Sequence, residues 1–376
     1  MLNHGTFFLP GPTEVRTEIL QEMMRPMLPH RSAAFEAVYA RCDAGLRTVF
    51  RTSRPAYIAS ASATGLMEGA IRCAPSGIVL SLVNGAFSER FAQVASSCGR
   101  TVVRDDVALG LHHTPEQVAV LLEQTSARVV TLTHSETSTG ALNDIAAIAR
   151  VVHAAGAVIL VDSVTGVAGA PLETDAWHLD FAFTGSQKAL ALPPGLALGV
   201  ASQAFIEAAA HNTDRGTYFD LVEFEKYAVK SQTPNTPAIS LFYALAAQVE
   251  AIAAEGMEAR WQRHRDMQAM TLAWVWKLAA DIDPAFAVLA PESGRSPTVT
   301  CVTLPAAMAG TVVAEATARR GYIIGAGYGP LRERTIRIGH MGDHTVTGLT
   351  NCLQAVRSAI ESLCGAPPLV QVASAP

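Results

Sequence analysis

Short apolar runs rich in β-branched residues alternate with segments of helical periodicity over the first half of the chain. Ala56–Ala61, Ile78–Val83, Thr101–Arg104, Arg128–Thr133, Ala157–Asp162, Phe181–Thr184 and Leu196–Ala201 read as strands. Between them Thr64–Cys73, Ser88–Cys98, Pro115–Gln124 and Asp144–Ala155 read as helices. Gly99 and Gly156 stand where helices stop, and Thr114 is placed to cap the helix that opens with Pro115. The last three strands are apolar on both faces. Such strands must be covered by helices on both sides, and repeated β-α-β units make neighbours parallel. The pattern therefore predicts an α/β fold, a mostly parallel mixed sheet between helices.

The character changes near residue 240. A long helical stretch, Leu241–Ala280, carries Trp261, Trp274 and Trp276. Strands near Thr298–Thr303, Tyr322–Ile324 and Thr335–Ile338 follow, with helices near Thr311–Arg320 and Thr345–Leu363. This reads as a smaller C-terminal α+β domain. The expected division is an N-terminal segment 1–20, a large domain 21–255, a small domain 256–366 and a frayed tail 367–376.

Bulk properties narrow the function. With 376 residues, 16% of them charged, and a mean hydropathy of +0.24, a large buried core is available. A net charge of −5 argues against nucleic acid as a partner. No apolar run is long enough to cross a membrane, and the opening MLNHGTFFLPGPTEVR makes a poor signal peptide. The six cysteines form no CxxC pair. A soluble, cytoplasmic protein is expected.

In open α/β sheets, ligands sit at the carboxyl ends of strands. Asp162 ends one, where a carboxylate needs a cationic partner or serves as a turn cap with Ser163. Lys188 follows another, in TGSQKALALPPG, and is one of only four lysines among 28 basic residues. Apolar surroundings lower a lysine's pKa and free its amine as a nucleophile. Ser60-Ala61-Ser62-Ala63-Thr64-Gly65 precedes a helix and suits either a phosphate or an ordinary N-cap. Phe87 could stack on a flat ring or fill the core. The run His134–Gly140 is denser in hydroxyls than a loop requires. Arg337, within an apolar strand, needs an anion: a substrate carboxylate or an internal salt bridge. Gly325–Gly329 resembles a dinucleotide loop but leads into a strand, and His340 with His344 lacks a third ligand, so no metal is expected.

A phosphate cradle, a ring-stacking aromatic, an acid, a lysine and a carboxylate-binding arginine together suit pyridoxal 5'-phosphate (PLP). The segments THSETSTG (Thr133–Gly140), VDSVTG (Val161–Gly166), TGSQKAL (Thr184–Leu190) and RIGHMG (Arg337–Gly342) resemble the class V aminotransferases of fold type I, within them the alanine–glyoxylate and serine–pyruvate group. The resemblance runs from Pro10–Pro12 to Gly342. It implies that Lys188 is the Schiff-base lysine, that Asp162 partners the pyridine nitrogen and that Phe87 stacks on the ring. It also implies that Thr137 lies near the phenolic oxygen and that Ser62, Ala63, Thr64 and Gln187 line the phosphate site. Thr236 would reach the cofactor phosphate of a neighbouring subunit, making a homodimer with sites at the interface. A tyrosine that helps bind phosphate in some relatives is Thr233 here. Arg337 would bind the substrate carboxylate, and Gly11 lies in an N-terminal segment folded over the site and the small domain. The implied activity is ping-pong transamination between a small amino acid and a 2-oxo acid. Phosphoserine and aminoethylphosphonate transaminases are the nearest alternative, with His30 and Arg31 as candidates for a second phosphate. Cysteine desulfurases would need a histidine where Gln187 and Phe87 stand, and a dehydrogenase would need GxGxxG where SASATG stands.

Overall fold

The protein is described by a computed structural model covering residues 5–365; the expected tail 367–376 lies outside the described residues. A seven-stranded sheet runs in the order Tyr57–Ala59, Ala197–Ala201, Phe181–Gly185, Val158–Asp162, Val129–Thr133, Val79–Val83, Val102–Asp106. Only Ala197–Ala201 runs against its neighbours. The strands Val79–Val83, Val129–Thr133 and Phe181–Gly185 are buried throughout, as residues apolar on both faces require. The outer strand Val102–Asp106 is charged at Arg104, Asp105 and Asp106 and partly exposed, which protects a free sheet edge.

Local signals set the helix starts. Thr114 and Gln117 form a reciprocal capping box ahead of Pro115–Thr125, and Asp144 accepts the Ala147 N–H at 3.0 Å to open Ile145–Ala154. The stretch expected as one helix, Leu241–Ala280, is two: Ile239–Glu255 and Met257–Asp281. Gly256 separates them at φ 84°, a conformation an ordinary residue adopts only with strain.

A second sheet has the order Thr6–Phe8, Tyr322–Ala326, Thr335–Gly339, Val299–Thr303, Ala287–Val288. Its core includes Val302, Ile336, Ile338, Leu349 and Leu353, with Met267 and Leu278 from the long helix. The strand Thr6–Phe8 was not anticipated. It pairs in parallel with Tyr322–Ile324 and buries Phe8 in that core, an association across the whole chain that three residues cannot announce locally. Among the described residues no helix is long and apolar enough to cross a membrane.

Candidate active site

The parallel strands deliver their carboxyl ends to one edge of the large sheet, and the polar segments of the sequence converge there. Lys188 lies in the loop after Phe181–Gly185. That loop is held by its own backbone, with Ala191 N–H donating to Lys188 O at 2.8 Å and the Ser186 hydroxyl to Pro193 O at 2.7 Å. The lysine is only 8% exposed. Burial, aided by the charge of Arg337, pulls its amine down to about 8. Its Nζ donates to Pro10 O and lies 5.7 Å from the centre of the Phe87 ring.

Asp162 ends the neighbouring strand and is buried, with one oxygen accepting Val164 N–H at 2.9 Å. Burial raises its carboxyl to about 7, and the negative charge of Glu136 adds to the effect. A cation brought against it would restore the ionised form. His134, whose N–H donates to Asp162 O at 2.8 Å, is buried with its ring 2.9 Å from the Ser163 hydroxyl, and burial lowers its imidazole to about 3, so it stays neutral.

These side chains enclose a cavity of about 160 Å³ lined by Ser62, Ala63, Thr64, Phe87, Thr137, Asp162, Gln187 and Lys188. Ser62 precedes the helix Ala63–Cys73 and makes no side-chain capping bond; Gly65 N–H donates to Ser62 O at 2.9 Å, and Ser62, Ala63 and Thr64, at the positive end of the helix, line the cavity. Met67, Arg90, Thr133 and Thr165 also line the cavity, and none of the four stands out as a site residue in the sequence. The Thr133 hydroxyl is buried without a hydrogen-bond partner among the described residues.

Arg337 stands close by. Its Nε donates to Ala326 O at 2.9 Å and its Nη1 to Thr137 O at 3.2 Å. Both acceptors are backbone carbonyls, and among the described residues no carboxylate pairs with the guanidinium, which stands as a cation without an anion. Tyr328, from the glycine-rich loop set aside in the sequence, lies 5.5 Å below Arg337 and 5.8 Å from Phe87. Gly11 touches the lysine from the N-terminal segment: a Cβ there would lie 2.5 Å from Nζ. Thr236 is exposed and lines a different cleft with Ile58, Ser60 and Phe224, so one chain does not bring it to the cavity. Arg31 donates to Thr233 O at 2.7 Å and Pro234 O at 3.1 Å, and thus braces that same loop.

Residues 78–327 match the family model of aminotransferase class V. The chain belongs to the class V aminotransferases. It is 34% identical to a Synechococcus protein named soluble hydrogenase, small subunit, over 95% of this chain and 94% of that one. It is 31% identical to the L-aspartate–glyoxylate aminotransferase of Paracoccus denitrificans, over 92% and 88%. Among solved structures it superposes on an alanine–glyoxylate aminotransferase from Nostoc with a TM-score of 0.89, 27% identity and 95% of both chains covered. A class V aminotransferase is a PLP-dependent transaminase of fold type I, and the residues present fit that cofactor. The cavity offers an uncapped helix start for a phosphate, a buried amine of lowered pKa, a buried carboxyl that needs a cation and a hydroxyl without a partner.

Proposed function

We propose that this class V aminotransferase moves the amino group of a small amino acid, alanine or serine, to glyoxylate or pyruvate in a ping-pong reaction. The observation that carries the reading is one juxtaposition. The buried Lys188 amine and Asp162 carboxyl line a single cavity, with the unpaired Arg337 guanidinium beside it. When bound, PLP supplies the electron sink that makes a Cα proton labile. Lys188 takes that proton and returns it at the cofactor's C4' carbon. Asp162 holds the ring nitrogen protonated, and Phe87 covers one ring face. Ser62, Ala63, Thr64 and Gln187 hold the phosphate, and Thr137 lies by the phenolic oxygen. Arg337 orients the substrate carboxylate, and Gly11 leaves room for the lysine.

In the same reading the enzyme is a cytoplasmic homodimer in which Thr236 completes the partner's phosphate site. Segment 1–20 straps a large domain 21–255 to a small domain 256–366. The phosphoserine-type alternative draws less support, because Arg31 spends its donors on the Thr233–Pro234 carbonyls. A desulfurase role draws less support, because Cys301 lies in a strand and burial pushes its thiol up to about 11. The test is a panel of alanine, serine, aspartate, phosphoserine and aminoethylphosphonate against glyoxylate and pyruvate. Parallel double-reciprocal lines with alanine or serine are expected. Turnover confined to a phosphorylated donor would overturn the assignment.

A further inference from the structure

The helix Ala86–Ser97 carries Phe87 in its first turn and begins after Gly85, which has no side chain to cap it. Its free N–H groups are satisfied from a segment some fifty residues later. Phe87 N–H and Ser88 N–H donate to Oε2 of Glu136 at 3.1 and 3.0 Å, and Ala86 N–H donates to the Ser138 hydroxyl at 3.1 Å. The other carboxylate oxygen, Oε1, accepts Ser138 N–H at 3.1 Å and the Ser138 hydroxyl at 2.6 Å. Glu136 itself has no solvent exposure. A buried carboxylate costs several kcal/mol unless donors surround it, and here five do, the Ser88 hydroxyl at 3.1 Å from Oε2 included, helped by the positive end of the helix dipole. Gly85 is required by this packing, since a Cβ on it would overlap both Glu136 Cγ and Ser138 Oγ.

The two ends that Glu136 joins are both walls of the active site. One is Phe87. The other is the backbone of Ser135–Ser138, whose Ser135 and Thr137 line the cavity and whose Thr137 carbonyl holds Arg337. We propose that Glu136 is a positioning residue that clamps the ring-stacking Phe87 at a fixed separation from the Thr137 wall, and so sets how tightly and in what orientation PLP is held. This rests on the cofactor placement proposed above. A glutamine in its place keeps the shape but cannot serve both sides. Its single carbonyl can face Phe87 and Ser88, but then its NH₂ meets the Ser138 N–H, and one set of bonds is lost.

The experiment titrates cofactor-free wild type, Glu136→Gln and Gly85→Ala with PLP. It records the visible circular dichroism of the bound cofactor and the melting of the cofactor-free proteins. Expected for Glu136→Gln is a Kd for PLP raised roughly ten- to a hundredfold, as for loss of hydrogen bonds to a buried charge, with a diminished visible dichroic band. Gly85→Ala should reproduce the dichroic change with the carboxylate still present. A purely structural cap would lower the melting temperature and leave Kd and the band as in wild type, and that result overturns the proposal. Should Glu136→Gln fail to fold, Ser138→Ala decides: a severalfold weaker Kd supports the clamp, and an unchanged Kd overturns it. A wild type that takes up no PLP would instead sink the cofactor placement itself.

Discussion

Lys188 donates its side-chain hydrogen bond to the carbonyl of Pro10, 178 positions earlier in the chain. The N-terminal segment that supplies this carbonyl is anchored on both sides of the lysine. Thr13 N–H donates to Gln187 O at 3.1 Å and the Thr13 hydroxyl to Lys188 O at 3.0 Å. Beyond them Arg16 pairs with Asp343 at 2.7 Å. The segment thereby joins the lysine loop to the small sheet, and the lysine is shut away from water. This burial is the main cause of its depressed pKa.

Gly11 is the tightest point of that contact. Its φ of 115° disfavours any side chain, and a Cβ would lie 2.5 Å from Lys188 Nζ. Gly11→Ala should cost about 1–3 kcal/mol of stability through backbone strain and weaken PLP capture as the lysine is displaced. Thermal melts and PLP titration of the cofactor-free protein check both. Wild-type values in the two assays would contradict the close approach.

The Lys188 amine, lowered to about 8 by burial and by Arg337, is an ammonium below that pH and a free nucleophile above it. The rate of PLP capture should therefore climb about fiftyfold from pH 6 to 8 and level off above 9, following the neutral fraction. Stopped-flow absorbance gives the profile. A rate still rising steeply at pH 10 would mean an ordinary lysine. Lys188→Ala should abolish turnover with the fold intact, and borohydride should no longer fix the cofactor to the protein.

Arg337 hydrogen-bonds to two carbonyl oxygens and lies over the Tyr328 ring, and neither contact supplies an anion. Arg337→Ala should raise KM for the amino acid roughly ten- to a hundredfold, the range for a lost charge-assisted pair. Arg337→Lys should recover little of it, because an ammonium cannot reproduce the planar fork. Steady-state kinetics decide, and an unchanged KM would remove Arg337 from the carboxylate site.

Arg260 is 1% exposed and binds four groups: Ala168 O at 3.1 Å, Ala189 O at 2.8 Å, Glu255 at 2.7 Å and Asp343 at 2.9 Å. It thus ties the lysine loop to the segment after the strand Thr335–Gly339. Arg260→Leu leaves two buried carbonyls unpaired and takes one partner each from Asp343, which keeps Arg16 and Gln248, and Glu255, which keeps Arg263; it should cost about 2–4 kcal/mol, at roughly 1–3 for each buried group left unsatisfied. Urea denaturation measures this, and a loss under 1 kcal/mol would show that the network relaxes easily.

Asp162 and Lys188 stood out in the sequence because each breaks an apolar context immediately after a strand. Phe87, Thr137 and the Ser62–Thr64 turn could be named because they too follow strands. No such signal marks Arg90, four positions after the start of its helix, or Tyr328, in a loop whose glycines resemble a dinucleotide turn. Glu136 was in view within the hydroxyl-rich run, but its task was hidden. The missing cap at Gly85 was a signal without a visible partner.

The chain by itself determined which groups follow buried strands, because side-chain polarity and the two-residue period of a strand are local properties. It also determined the family, through four ordered motifs. Only the tertiary structure decided that the Pro10 carbonyl meets the Lys188 amine, that Glu136 caps the helix of Phe87, and that Arg260 joins the lysine loop to Asp343. Those contacts join residues far apart in sequence. Strand order, crossovers and burial place them together, and no local pattern encodes any of the three.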